Sequence, residues 1–309
     1  MIIIYMYFYR EQNYLQLIVI LAVGLIGLWY YRRVETKSTI ENFSQLKPYV
    51  LREENEVYDS FYIDKYDDYF LTELYSEDDM QTILDKTQPL LKTSVFLDIG
   101  CGTGRLLKAL ETKKYKVFGI DKSAGMIEKA KTSLTEGEVI CDNVLRDPML
   151  YENNTFSHIL CTHFTIYEVE DKSTFFRHCF HWLKGGGYFV LHVIHPEKFN
   201  KIVPKSDLFS HVKNPTVKKT SMTFDDFEYT NSYDKTVADG HKTMQVENFT
   251  SRNYSRENRR TLYLTPKLEL ISMVLKCGFI VHSESVYTNR IKDDDQSMVI
   301  FVKPHCGDN

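Results

Sequence analysis

Residues 98–104 read DIGCGTG, and this stretch decides the fold class. It follows the apolar run Val95–Leu97 and precedes a helical pattern that begins at Arg105. A strand that passes through a glycine-rich turn into a helix brings its backbone close to whatever lies at the strand's end. The sequence therefore predicts a ligand-binding loop at the carboxyl end of a strand in an α/β sheet.

Short β-rich runs alternate with helical stretches on the C-terminal side of this loop. Such alternation is typical of a parallel sheet that is covered by helices on both faces. The predicted strands are Val95–Ile99, Lys116–Ile120, Glu138–Cys141, Ser157–Cys161 and Gly187–Ile194, and the predicted helices are Arg105–Leu110, Ala124–Leu134 and Lys172–Leu183.

The alternation stops at residues 195–263, where Lys219–Thr230 and Thr243–Thr250 follow the period of strands. We predict an inserted antiparallel element there, placed as a cap. A helix from Pro266 to Lys276 should follow, and two final strands, Phe279–Tyr287 and Met298–Val302, should close the sheet as a hairpin.

Aromatic side chains recur at helical spacing from Val57 to Leu74, which predicts an amphipathic helix before the first strand. The preceding residues 34–54 are polar and without a sustained period, so they are interpreted as a linker. The folded domain is predicted over residues 55–304, with a tail at residues 305–309.

Composition excludes few functions, but it argues against a protein that binds duplex nucleic acid and against a zinc protein. The 309 residues are 43% apolar and 26% charged with a net charge of -4, which gives no basic field for duplex nucleic acid. The six cysteines are scattered singly, without the paired spacing of a zinc site. No metal is expected, and the thiols are interpreted as reduced.

The N-terminal segment, residues 1–33, contains the uncharged run Leu15–Tyr31. At ~1.5 Å per residue this run reaches about 25 Å, the short end of a membrane-spanning helix. The aromatic residues at its end precede Arg32 and Arg33, which is typical of a membrane boundary. We predict a transmembrane helix; a cleaved signal peptide and a helix packed on the folded domain are the alternatives.

Basic residues near the predicted transmembrane helix give an orientation. Arg10 precedes the helix, whereas Arg32, Arg33 and Lys37 follow it. The positive-inside rule then predicts a single-pass membrane protein whose folded C-terminal domain faces the cytosol.

Three carboxylates narrow the ligand of the glycine-rich loop. Glycine spacing alone would also admit a dinucleotide, but the third dinucleotide glycine would fall at Leu106. Asp98 would repel a pyrophosphate and suits a ligand that carries an ammonium group. Asp121 ends the second strand, where an acid can accept from ribose hydroxyls, and Asp142 follows the third strand, near an adenine amino group.

These motifs resemble those of class I S-adenosylmethionine-dependent methyltransferases. Leu97–Gly104 is similar to their first motif, Gly119–Met126 to their second, and Lys184–Gly187 to the loop before their fifth strand. The resemblance covers about Tyr58 to Pro304. It implies a three-layer α-β-α Rossmann-like sheet of seven strands with the last strand antiparallel.

The resemblance also implies where S-adenosylmethionine is bound. Asp98 with the loop glycines would hold the methionine end, Asp121 the ribose, and Met126 with Asp142 the adenine. Tyr62 and Tyr66 would contact the methionine moiety from the N-terminal helix. The implied cofactor-binding residues are Tyr62, Tyr66, Asp98, Gly100, Gly102, Gly104, Asp121, Lys122, Met126, Asp142, Asn143 and Cys161.

The sequence identifies catalytic residues less clearly than cofactor-binding residues. Methyl transfer chiefly requires alignment of the acceptor and, where needed, removal of its proton, so no fixed catalytic motif is required. His163 and Tyr167 are candidates in the segment Cys161–Glu168. This segment departs from the Asn/Asp-Pro-Pro-aromatic motif of exocyclic-amine and glutamine methyltransferases.

The resemblance predicts a methyltransferase of the EC 2.1.1 class that acts on a small-molecule or lipid-like acceptor, the latter reached from the membrane surface. Two alternatives remain open. One is a catalytically silent, membrane-tethered regulator that binds S-adenosylmethionine, and the other is a protein or RNA methyltransferase.

Overall fold

The computed structural model describes residues 21–32, 48–69, 72–196, 219–224, 226–234, 241–287 and 293–305. The chain divides into two compact units. The first unit comprises residues 1–49 and 252–255, and the second comprises residues 50–251 and 256–309.

Helices and strands alternate along the first half of the described chain, and strands predominate in the second. In chain order they are α1 (residues 21–32), β1 (Tyr49–Glu53), α2 (Ser60–Tyr69), α3 (Thr72–Thr87), β2 (Val95–Ile99), α4 (Arg105–Thr112), β3 (Lys116–Asp121), α5 (Ala124–Ser133), β4 (Glu138–Cys141), β5 (Phe156–Cys161), α6 (Lys172–Trp182), β6 (Leu183–Ile194), β7 (Lys219–Thr223), β8 (Glu228–Asp234), β9 (Lys242–Thr250), β10 (Ser255–Tyr263), α7 (Lys267–Lys276), β11 (Ile280–Tyr287) and β12 (Asp293–Val302). Short 3-10 turns cover Glu54–Val57, Pro148–Leu150 and Thr165–Glu168.

The predicted transmembrane segment Leu15–Tyr31 overlaps α1, and its residues 15–20 lie outside the described residues. Within the described part of the chain, no helix is both long and apolar enough to cross a membrane. The transmembrane prediction is therefore unsupported by the described residues. Arg10, Arg33 and Lys37, which carry the predicted orientation, also lie outside them.

A seven-stranded sheet forms the centre of the second unit, in the order β11-β12-β6-β5-β2-β3-β4. The pairs β2–β3, β3–β4, β2–β5 and β5–β6 are parallel, whereas β12 runs antiparallel to both β6 and β11. The predicted Rossmann-like sheet with an antiparallel last strand is confirmed. The strand order reverses at β2 and β5, which opens a crevice at their carboxyl ends.

Both faces of this sheet are buried, as the apolar runs of its strands require. Phe96 packs in one apolar cluster with Leu107 and Leu110, while the next residue, Leu97, packs in the other cluster with Trp182. Because successive side chains of a strand point to opposite faces, β2 lies between two layers of helices.

The N-terminal part differs from the prediction in two ways. Strand β1 lies within the predicted linker, and the predicted single helix from Val57 to Leu74 is divided between the 3-10 turn, α2 and α3. Helix α3 was missed beyond Leu74 because its buried face includes the polar residues Ser76 and Asp79, which weaken its apolar period.

The inserted element is a second sheet, in the order β1-β10-β9-β8-β7, and its pairs β7–β8 and β8–β9 are antiparallel. Strands β9 and β10 alternate buried and half-buried side chains along their whole length. The buried positions are unusual because several are polar, among them Gln245, Glu247, Arg256 and Arg260.

Candidate active site

A cleft of about 330 Å³ opens at the carboxyl ends of β2, β3, β4 and β5. The loops that follow these strands line one part, which we call the cofactor half. The 3-10 turns Glu54–Val57 and Thr165–Glu168, helix α2 and the end of β10 line the other part, which we call the acceptor half.

The glycine-rich loop is fixed to the neighbouring strand by its backbone. The Gly100 amide donates to the Ile120 carbonyl at 2.8 Å, and the Gly102 amide donates to Asp121 Oδ2 at 3.0 Å. Both glycines have positive φ, +73° and +53°. A Cβ at Gly100 would lie 2.4 Å from Thr165 Cγ2, whereas no heavy atom lies within 4 Å of a Cβ built at Gly102. The loop thus leaves open space beside Gly102.

Two buried carboxylates lie at the base of the cleft. Asp98 is 3% exposed, and its pKa is raised well above the ordinary value by burial and by the nearby charges of Asp79 and Asp121. The pKa of Asp121 is also raised by burial, although amide donors at Gly102 and Ser123 oppose this rise. A cationic ligand would relieve the cost of both charges.

Asp142 completes the row of carboxylates at the strand ends. Its Oδ1 accepts from the Asn143 amide at 2.6 Å, and its Oδ2 contacts Arg146. Its own amide donates to the Asp121 carbonyl at 3.0 Å, which fixes the spacing between the ends of β3 and β4.

Most predicted cofactor-binding residues line the cleft. They are Tyr66, Asp98, Gly100, Gly102, Asp121, Lys122, Met126, Asp142 and Asn143, and the catalytic candidate His163 lines it as well.

Four predicted residues are placed behind the lining instead. Gly104 precedes α4 and packs against α5, where a Cβ would lie 3.0 Å from Ala130. Cys161 is buried in the core at the end of β5. Tyr62 turns into the inserted sheet, and its hydroxyl donates to Glu247 at 3.2 Å. Tyr167 is the fourth, and it is fully buried.

Tyr167 has a structural contact that accounts for its burial. Its hydroxyl donates to the Ile194 carbonyl and accepts from the Ile194 amide, both at 3.0 Å. The phenol therefore fastens the loop after β5 to the end of β6, and its proton is engaged away from the cleft.

His163 lies at the beginning of the loop after β5. Its Nε2 is 3.2 Å from Asp79 Oδ2, and the backbone of both His163 and Phe164 is left-handed, with φ of 49° and 66°. Two successive non-glycine residues in this region are uncommon and require support from their surroundings.

The acceptor half contains three residues that the sequence interpretation missed: Tyr58, Glu168 and Arg260. The Tyr58 hydroxyl donates to Glu168 at 2.8 Å, and Arg260 Nη1 donates to the Tyr58 hydroxyl at 2.6 Å. Glu168 also lies 3.4 Å from Lys122 Nζ and 3.6 Å from Arg260 Nη1. These contacts join the two halves of the cleft.

Arg260 extends this network into the inserted sheet. Its Nη2 donates to Glu247 at 2.9 Å and to Gln245 at 3.1 Å. Burial raises the pKa of Tyr58 and of Tyr62 well above the ordinary value, so both phenols are neutral donors at neutral pH. The signal that could have identified Arg260 is the pattern of β10, where an arginine recurs on the buried face of an alternating strand.

Comparisons with known proteins agree with this geometry. Residues 96–187 match the family model described as a methyltransferase domain. A search of the curated proteins gave no significant match.

Solved structures share the fold at low sequence identity. An S-adenosylmethionine-dependent methyltransferase from Clostridium acetobutylicum is 14% identical, with 74% of this chain and 91% of that chain covered and a TM-score of 0.58. DesVI from Streptomyces venezuelae is 17% identical, with coverages of 80% and 97% and a TM-score of 0.56. The sugar N-methyltransferase KedS8 from Streptoalloteichus is 17% identical, with coverages of 81% and 94% and a TM-score of 0.56.

The matched family model spans the strands and loops that form the cofactor half, and the solved structures share the fold over about three quarters of the chain or more. Residues 96–187 thus match a methyltransferase domain, and the sheet that contains them has the fold of solved S-adenosylmethionine-dependent methyltransferases.

Proposed function

We propose that this enzyme transfers the methyl group of S-adenosylmethionine to a small molecule that carries an amino group. The observation that carries the proposal is the acidic acceptor half of the cleft. Its walls are α2, the turn after β5 and the end of β10, and the whole cleft holds about 330 Å³. A space of this size is in the range of small-ligand sites.

Charge supports an amine as the acceptor. The described lining carries six carboxylates (Glu54, Asp98, Asp121, Asp142, Glu168 and Glu170) and three basic side chains (Arg105, Lys122 and Arg260). With all of them ionised, this lining has a net charge of -3, since six negative charges meet three positive ones. S-adenosylmethionine offsets one of these charges through its ammonium, carboxylate and sulfonium groups. The remaining excess favours a cationic acceptor.

The cofactor half fits S-adenosylmethionine. The Asp98 carboxylate would accept from the ammonium group, and the open space beside Gly102 would admit the methionine moiety. Asp121 would accept from the ribose hydroxyls, and the buried Met126 would pack on the adenine. The raised pKa of Asp98 supports this assignment, because a bound ammonium group would stabilise the charged carboxylate.

Relatives in fold give independent support for the acceptor class. KedS8 is described as a sugar N-methyltransferase, and CalS10 from Micromonospora echinaspora as an amino pentose methyltransferase. A lipid-like acceptor depended on the predicted transmembrane helix, which the described residues leave unsupported.

Bound S-adenosylmethionine supplies an electrophilic methyl carbon on a sulfonium. The protein's contribution is to align the acceptor nitrogen behind that carbon and to exclude water. Tyr58 and Tyr66 would form the apolar wall beside the methyl group, and Glu168 would attract the amino group.

The test is a methyl-transfer assay with the full-length chain and radiolabelled S-adenosylmethionine. The acceptors are a panel of amino sugars, the matching hydroxyl sugars, mixed peptides and total RNA. We expect label in the amino sugars, with the hydroxyl sugars as the matched negative. Label confined to peptides or RNA, or cofactor binding without transfer to any acceptor, would overturn the proposal and favour one of the alternatives.

A further inference from the structure

A lysine is buried behind the acceptor half of the cleft. Lys172, the first residue of α6, is only 3% exposed. Its Nζ donates to the Val169 carbonyl at 2.6 Å and to the Tyr263 carbonyl at 3.1 Å, and it lies 5.5 Å from the centre of the Tyr263 ring. Burial of an ammonium group is costly unless its N–H donors are satisfied. The two carbonyls supply that compensation, and the ammonium group in turn ties them together.

The two carbonyls belong to different walls of the acceptor half. Val169 follows the 3-10 turn Thr165–Glu168, Tyr263 is the last residue of β10, and both residues line the cleft. The contact of Lys172 with Val169 spans three residues of sequence, whereas its contact with Tyr263 spans 91. One side chain therefore holds the end of β10 to the turn after β5, which carries Glu168.

The surroundings of Lys172 determine the pH range in which it is charged. Burial lowers its pKa to about 8, and interactions with Cys161 on β5, Glu269 on α7 and Glu170 before α6 oppose this change. Burial also raises the pKa of the Cys161 thiol and of the Tyr263 phenol, so both groups are neutral at neutral pH. Lys172 is thus an ammonium ion at neutral pH and loses its proton in mild alkali, where a lysine of ordinary pKa keeps its own.

We infer that Lys172 is a positioning residue that fixes the shape of the acceptor half by holding the turn after β5 to the end of β10. This inference rests on the proposed function of the cleft. A hydrogen bond from a charged donor is about twice as strong as one from a neutral donor, so loss of the proton weakens both contacts. The acceptor half should then bind its ligand less tightly as the pH rises through about 8, while the loops of the cofactor half keep their contacts.

The first test measures KM for the amine acceptor from about pH 6.5 to about pH 9 in the full-length chain and two variants. In wild type we expect KM to rise about 3-fold or more across pH 8. Lys172→Arg keeps its charge over this range, so its KM should rise less. Lys172→Met lacks the charge throughout, so its KM should exceed that of wild type most at the acidic end and least at the alkaline end. Titration of the acceptor amine is common to all chains and cancels in the comparison.

Lys242→Met is the matched control. Lys242 is half-buried, and its Nζ lies 6.0 Å from the centre of the same Tyr263 ring. Its loss removes a cation from that ring without removing a contact to either carbonyl, so KM should stay within about 2-fold of wild type at every pH. Calorimetric binding of S-adenosylmethionine should change less than about 2-fold in all variants. Retained cofactor binding shows that each variant is folded and separates loss of the acceptor site from general destabilisation.

A second readout does not depend on turnover. NMR of the chain with labelled lysine side chains should find one Nζ that titrates near pH 8 and is missing from Lys172→Met. Hydrogen exchange at neutral pH should be faster in Lys172→Met than in wild type at the turn Thr165–Glu168 and at the end of β10. Parallel rises in KM for wild type and Lys172→Arg, a wild-type profile for Lys172→Met, or equal losses of affinity for cofactor and acceptor would overturn the inference. Failure to methylate any amine would instead overturn the proposed function, while the Nζ titration and the exchange rates still test the contact.

Discussion

The two halves of the cleft are built in different ways. In the cofactor half, the loop at Gly100–Gly102 is bonded to the end of the next strand, and each carboxylate lies at the end of its own strand. In the acceptor half, Tyr58 meets Glu168 across 110 residues of sequence and Arg260 across 202. The cofactor half is therefore a product of local chain geometry, and the acceptor half is a product of tertiary packing.

Because of this difference, substitutions in the acceptor half should mainly lower the stability of the fold, whereas substitutions in the cofactor half should mainly weaken ligand binding. Arg260 of the acceptor half is buried with Glu247 and Tyr62 of the layer behind it, so removal of one of these charges should destabilise the fold. The glycine-rich loop borders open space at Gly102, so a change there should weaken ligand binding more than it weakens the fold.

Arg260→Ala is expected to give the largest effect. It removes the cation from the buried Glu247 and should lower the free energy of unfolding by about 3–5 kcal/mol, as for other broken buried pairs. Arg259→Ala is the matched control, because that side chain is 40% exposed and its loss should cost less than about 1 kcal/mol. Urea denaturation of both variants measures the difference. Equal losses would mean that the acceptor half is no more dependent on its charges than the surface is.

Acid should affect the two sheets in different pH windows. Burial lowers the pKa of His158, on β5, to about 4 from an ordinary value of 6.5. The unfolded chain then binds a proton more readily, so stability is complete above pH 6.5 and falls as the pH drops towards 4, by about 3 kcal/mol for this group. Asp59, just before α2, pairs with Arg256 of the inserted sheet. Despite partial burial, this ion pair holds the pKa of Asp59 below its ordinary value, so its contribution to stability disappears only below about pH 4.

Urea denaturation between pH 7 and pH 4 tests the first window. His158→Gln should unfold with a weaker dependence on pH across this range than wild type, because one buried imidazole no longer titrates. Parallel pH profiles of the two chains would contradict the assignment.

Alanine at two glycines should separate fold from ligand binding in the cofactor half. Gly100→Ala places a Cβ against Thr165 in a left-handed conformation, so it should cost about 1–3 kcal/mol of stability and also weaken cofactor binding. Gly102→Ala meets no neighbouring atom and should cost about 1 kcal/mol, yet weaken S-adenosylmethionine about 10-fold or more. Thermal unfolding and calorimetry measure the two effects. Normal binding by Gly102→Ala would mean that the cofactor lies elsewhere.

Glu168→Gln should give the smallest effect. Loss of this charge weakens attraction of an amine, and we expect KM for the amine to rise about 3- to 10-fold with little change in the affinity for S-adenosylmethionine. Glu170→Gln is the control, since Glu170 also lines the cleft but lies on its exposed rim. Steady-state kinetics with the best acceptor measures KM for both variants. A larger rise in KM for Glu170→Gln would mean that the amine binds nearer the rim of the cleft.

The same contrast explains what the sequence predicted. Asp98, Asp121 and Asp142 were identifiable because each lies in or just after the last residues of a strand whose apolar run is evident in the sequence. The seven-stranded Rossmann-like sheet and its antiparallel last strand, β12, were expected from the family resemblance and were confirmed.

The start of α2 and the end of β5 explain why two residues predicted to bind the cofactor lie behind the lining of the cleft. Because α2 begins at Ser60, Tyr62 turns into the inserted sheet, and Tyr58, which precedes the helix, lines the cleft instead. Cys161 belongs to the buried end of β5, and the lining begins with the next residue, Thr162.

Long-range partners account for the missed residues. Asp79 lies on a helix whose buried face is partly polar, and Arg260 occupies a buried strand position that apolar patterning assigns to aliphatic side chains. Their neighbours become evident only in the tertiary structure, where Asp79 lies beside His163 and Arg260 beside Glu247 and Glu168.

Calorimetric titration of the full-length chain with S-adenosylmethionine tests the central claim most directly. We predict saturable binding by wild type and by Asp147→Asn, whose carboxylate caps a turn outside the cleft. Asp98→Asn and Asp121→Asn should weaken binding by about 10- to 100-fold, because each removes a charge-assisted contact with the cofactor. Absence of binding by wild type, or equal affinity in all four chains, would contradict the account.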